Sequence, residues 1–129
     1  MASPPHQPPN VDEMFNNSQW KAQAEKSGTL EQLGRQWDAT LATKGQGLKA
    51  YLEDLKLAYQ MLRDPHFQLE RDKKITLGIA LLYIVSPIDL IPDSMPFLGM
   101  LDDVLVAGYA IKQVASELER YKKTRQTTH

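Results

Sequence analysis

The segment Tyr83-Ile-Val-Ser-Pro-Ile-Asp-Leu-Ile-Pro-Asp-Ser-Met-Pro-Phe-Leu-Gly-Met-Leu-Asp-Asp103 sets four carboxylates and three prolines in the most apolar part of the chain. An isolated charge among Ile, Leu, Val and Met is too costly to bury, so each Asp must cap a backbone, pair, bind an ion or be protonated. The prolines forbid one continuous helix through the segment. The pattern therefore specifies a sharp turn between two buried helices.

Ser86-Pro87-Ile-Asp89 fits a helix N-terminus, with Ser86 as N-cap, Pro87 at the first helical position and Asp89 facing unpaired backbone N–H groups. Pro92 disfavours helix at Ile91, so Asp93-Ser-Met-Pro96 should redirect the chain after little more than one turn. Gly99-Met-Leu-Asp102 repeats the arrangement, with Gly99 as the expected cap, Asp102 at the third position and Asp103 adding a second negative charge to that first turn. A sharper alternative makes Asp89, Asp93, Asp102 and Asp103 a divalent-ion site, since hard cations take several carboxylate oxygens. Spacing supports it weakly: adjacent Asp102 and Asp103 diverge by about 100° on a helix, and no His, Lys or Ser is obviously placed for catalysis. Capping is thus the expected role of these residues. A divalent cation is the one cofactor the alternative would require, and it predicts ion-dependent melting that Asp102→Asn or Asp103→Asn abolishes.

Apolar residues at Leu30, Leu33, Trp37, Leu41, Leu48, Leu52, Leu55, Tyr59 and Leu62 fall at helical steps with one double step. The double step holds Lys44-Gly-Gln-Gly47, so the face should break there into two helices. Flanking helical periodicity argues against reading those glycines as a phosphate loop. Asp64-Pro65 supplies a corner at which one helix stops near Arg63 and another can begin with Asp64 as N-cap. After a charged lead-in at 70–74, residues 75–85 are apolar all round, as in a helix buried on every side. Residues 104–111 form a second apolar segment that grades into an amphipathic one at 112–120. No segment alternates with period two, so no strand is expected.

The chain of 129 residues fits one domain. It is divided by composition into a Pro-rich tail at 1–12, amphipathic helices at 13–63, the hydrophobic hairpin at 64–123 and a basic polar tail at 124–129. The absence of cysteine excludes disulfides and thiolate chemistry, and His6, His66 and His129 have no zinc-site spacing. Fifteen basic against sixteen acidic side chains exclude a global field for nucleic acid. The first residues carry neither a basic n-region nor an apolar run, so a signal peptide is not expected and the cytoplasm is the expected compartment. The uninterrupted apolar run at 75–88 is shorter than the roughly 20 residues of a spanning helix, which favours a buried core helix or a re-entrant hairpin.

Tyr83, Ser86 to Pro92, Asp93, Pro96, Gly99, Asp102 and Asp103 carry a resemblance to the YkvA-like family. Its hallmark is Tyr-x-x-Ser-Pro-Ile-Asp-Leu-Ile-Pro-Asp followed by Pro, Gly and Asp-Asp. The resemblance extends more loosely over 55–65 and on to about Lys123, leaving out the N-terminal third; Ser94-Met95 stands where the family more often has bulkier apolar residues. The resemblance implies a helical hairpin and membrane association, and no known activity, substrate or cofactor.

The expected molecule is an all-α small bundle with a central hydrophobic hairpin joined by a Pro/Asp-rich turn. The functional expectation is a non-enzymatic accessory protein whose hairpin docks on a membrane surface or a helical protein partner, steered by the amphipathic stretch 48–62. Self-association through an apolar face is a further expectation. Trp20 and Trp37 lie outside the hairpin, where core packing is favoured over interfacial anchoring.

Overall fold

Residues 77–85 of one helix are all buried, and the rest of the chain is arranged around them. The structure is a computed structural model that describes residues 10–85, 91, 92 and 94–127. Among these it has seven α-helices and no strand: α1 (Val11–Phe15), α2 (Ser18–Glu25), α3 (Thr29–Lys44), α4 (Leu52–Arg63), α5 (Arg71–Val85), α6 (Asp103–Gln113) and α7 (Ala115–Thr127). The expected all-α hairpin architecture is present, with α5 and α6 as its arms. Both terminal helices reach into stretches expected as tails, since α1 takes in Val11 and Asp12 and α7 takes in 124–127.

The central helix needs a complete sheath because it has no polar face over its last three turns. α2, α3, α4 and α6 supply the sheath, all packing on α5. α2 approaches α5 closely: a Cβ at Gly78 would meet the Ala24 Cβ at 3.0 Å, so two small residues set that approach. Asn17 starts α2 by accepting the backbone N–H groups of Gln19 at 2.9 Å and Trp20 at 3.1 Å, and the helix then carries the Trp20 indole fully into the core.

The periodic face at 30–62 is used in the same enclosure. α3 ends at Lys44 as the paired glycines predicted, and a 3-10 turn (Lys49–Tyr51) leads into α4. Leu33, Trp37, Leu48, Leu55 and Tyr59 are buried, and Trp37 stacks on Tyr59 with ring centroids 4.7 Å apart. Trp37 is therefore a core residue, and the amphipathic stretch 48–62 turns its apolar face inward where a steering surface was expected. α6 and α7 are separated by a break at the fully buried Val114, and α7 packs on α4 through a second cluster that includes Ala58, Met61, Leu118 and Tyr121.

The corner at Asp64 differs from its sequence reading. α4 does stop at Arg63, but no helix begins at Pro65, and α5 starts at Arg71, within the charged lead-in. Asp64 caps a turn, accepting the His66 backbone N–H at 2.9 Å, and its other oxygen accepts the Tyr121 O–H at 2.9 Å from α7. These bonds, the His66 one first, hold the Asp64 carboxyl below the usual carboxylate range. Because the folded value is the lower one, the contribution is present above the unfolded carboxylate pKa and is lost as pH falls through the folded value. Tyr121→Phe is expected to raise the Asp64 midpoint in a carboxyl-carbon NMR titration. An unmoved midpoint would remove Tyr121 as a cause.

Candidate functional site at the motif turn

The end of α5, the segment 94–102, the start of α6 and the end of α3 meet at one pole of the bundle, and hydrogen bonds from two aromatic side chains hold the segment there. The Tyr83 hydroxyl accepts the Leu101 backbone N–H at 2.7 Å and donates to the Leu101 carbonyl at 2.8 Å. Trp20 Nε1 donates to the Pro96 carbonyl at 2.6 Å, and its ring lies 5.8 Å from that of Tyr83. Ile91, Met95 and Leu101 are buried beneath. Burial, reinforced by the negative charge of Asp103 and opposed by the backbone bond from Leu101, raises the Tyr83 phenol above its usual value.

Two residues of the segment have left-handed backbone, Phe97 at φ 70° and Gly99 at φ 75°. Gly99 therefore serves a turn that favours glycine, and the helix cap expected of it lies three residues further on. That cap is Asp102, whose side chain accepts the Val104 backbone N–H at 2.8 Å. The sequence reading had placed Asp102 inside the first turn; Asp103 is the acidic residue there. Asp102→Ala is expected to cost about 1 kcal/mol, with Asn at the same position retaining most of the stability, as measured by denaturant melts. A loss equal in both variants would show that charge, and not capping, is what Asp102 contributes.

Asp103 has a partner that sequence reasoning missed. Lys44 Nζ lies 3.1 Å from Asp103 Oδ2 and donates to the Ile84 carbonyl at 2.5 Å. One ammonium from the last turn of α3 thus joins the carbonyl end of α5 to the acidic start of α6, where the helix dipoles favour a cation and an anion respectively. In the sequence Lys44 stands only as the first residue of the Lys44-Gly-Gln-Gly47 break; its link to Asp103 depends on the packing of α3 against the hairpin.

Of the expected site residues, Ser86, Pro87, Asp89 and Asp93 lie outside the described residues. Pro92 is exposed, and Pro96 is half-buried and serves through its carbonyl. The ion-site alternative gains no support: Asp102 is engaged by backbone, Asp103 by Lys44, and among the described residues no three His, Asp or Glu side chains converge. A cleft of 240 Å³ opens between Thr43, Lys44 and Gly47 on one side and Asp102, Asp103 and Val104 on the other.

Beside this cleft the surface changes character. Met100, Val104 and Leu105 are 61%, 37% and 58% exposed, and they are the large apolar side chains that the described residues leave in solvent. No described helix is long and apolar enough to cross a membrane.

A family model described as "Protein of unknown function (DUF1232)" matches residues 73–109, which are the hairpin from the first turn of α5 into α6. The chain is 35% identical over 88 residues to the "Uncharacterized membrane protein YkvA" of Bacillus subtilis (strain 168), a match covering 64% of this chain and 81% of that protein. No solved structure matches. With the Tyr83-anchored turn and the Asp102-Asp103 start of α6 lying inside the matched region, the chain belongs to the YkvA-like family of proteins of unknown function (DUF1232).

Proposed function

We propose that the protein is a non-enzymatic helical accessory module that works at a membrane surface without spanning the bilayer. The observation that carries this reading is the corner of Met100, Val104 and Leu105: the other large apolar side chains among the described residues are buried or half-buried, and these three, within 100–105, are left exposed. Isolated exposed apolar residues are ordinary, but a group of this kind marks an interaction site. The name of the Bacillus relative, a membrane protein, supports a lipid setting. The hairpin itself is sheathed by α2, α3 and α4, so docking falls to the corner and not to the apolar faces of α5.

Fractionation of cells expressing the full chain tests the reading. The protein should stay with the membrane pellet through a salt wash and leave it in alkaline carbonate. Recovery in the first soluble fraction would sink the reading, and release by detergent alone would replace surface docking with insertion of the hairpin.

A further inference from the structure

We infer that the corner of Met100, Val104 and Leu105 enters the lipid bilayer itself by apolar contact, with no requirement for anionic headgroups. The inference rests on the membrane-surface reading and adds the chemistry of the partner. Its first support is area. With exposures of 61%, 37% and 58%, the three residues expose on the order of 300 Å² within six residues of chain, the low end of the largest apolar patch on a typical monomer, a patch that is often functional. A stable protein pair takes about 800 Å² of mixed polar and apolar surface from each partner, which these three side chains do not supply by themselves. A bilayer needs no complementary relief, and shallow partition grows with whatever apolar area is offered.

The second support is charge. Attraction to anionic lipid requires a surplus of cations near the contact. Lys44, in the cleft that Val104 also lines, is engaged by Asp103 at 3.1 Å and by the Ile84 carbonyl. Exposed Lys49, on the neighbouring 3-10 turn, is balanced in the count by exposed Asp102. Lys112 follows Leu105 on α6 by about two turns, or roughly 10 Å, away from the corner. Among the described residues the rim of the patch thus carries no surplus of cations. The basic residues of the chain's end, Arg120, Lys122, Lys123 and Arg125, belong to α7, which packs on α4.

Co-sedimentation of the full chain with vesicles separates the possibilities, using pure phosphatidylcholine and phosphatidylcholine with about 30% phosphatidylserine, each at about 0.1 and 0.5 M salt. Binding to pure phosphatidylcholine is expected, with an association constant near the 10⁴ M⁻¹ scale of about one acyl chain. Phosphatidylserine or salt should change it by less than about threefold. Leu105→Ser and Met100→Ser should each weaken it by about tenfold at unchanged melting temperature, and Leu105→Met should restore it. Binding that needs phosphatidylserine and is reversed by salt would overturn the inference while leaving the membrane-surface reading intact, with α7 as the contact. Failure to sediment with either vesicle would overturn both. A dimer in sedimentation equilibrium that Leu105→Ser abolishes would give the corner to a second copy and overturn the lipid assignment.

Discussion

Trp20→Ala is expected to lower stability by about 3 to 5 kcal/mol, the usual cost of removing a fully buried large aromatic, and to lower Tm by on the order of 10 to 20 °C. The loss has two sources. The indole fills the space between α2, α5 and the segment 94–102, so its removal leaves a cavity lined by side chains that α5 cannot reposition. It also leaves the Pro96 carbonyl without the 2.6 Å bond from Nε1. Trp20→Phe helps to separate the two, since it removes the N–H while leaving a smaller cavity than Ala. Thermal melts of both variants check the argument. A change of less than about 0.5 kcal/mol for the Ala variant, the range of ordinary surface substitutions, would mean that α2 does not clamp the motif segment.

Tyr83→Phe should cost about 1 to 3 kcal/mol despite removing a single oxygen, because the Leu101 N–H loses its 2.7 Å acceptor inside a buried site. A fall in Tm of roughly 5 to 10 °C is expected. Amide exchange gives the local readout: Leu101 N–H protection should drop sharply in the variant while protection in the middle of α5 falls only by the global amount. If Leu101 exchange and Tm are both unchanged, the hydroxyl does not hold the turn. The wild-type protein should also weaken in alkali through this residue. Its folded phenol pKa is raised above the ordinary value of 10.0, so the contribution is complete below that value and is lost as pH rises through the folded one. Tyr83→Phe should lack that alkaline component.

The helices were legible in the sequence because their signals are local, whereas the Ser86, Pro87, Asp89 and Asp93 part of the turn lies outside the described residues. The three-and-four spacing from Leu30 to Leu62, the Lys44-Gly-Gln-Gly47 break and the unrelieved apolar run ending at Val85 each act within a turn or two of chain. Where two local signals competed, the reading went astray. Gly99 and Asp102 can each start a helix, and the left-handed backbone at Gly99 leaves the cap to Asp102. Asp64-Pro65 has the form of a helix start, but the carboxylate of Asp64 is engaged by the turn at His66 and by Tyr121.

The sequence by itself determined an all-helical chain with a hairpin and a break of helix between its arms, since those follow from backbone sterics and apolar periodicity; the cap at Asp102, three residues past the expected one, came from the structure. Only the tertiary structure decided which residues serve that turn from afar. Trp20 reaches Pro96 across 76 residues, and Lys44 reaches Ile84 across 40. It also decided that the long amphipathic face and both tryptophans turn inward, while Met100, Val104 and Leu105 remain outside. The physical reason is that burial is a property of the whole assembly. Periodicity shows which side of a helix is apolar, and only the packing of α2, α3, α4 and α6 around α5 uses up the available core and fixes which apolar side chains are left over.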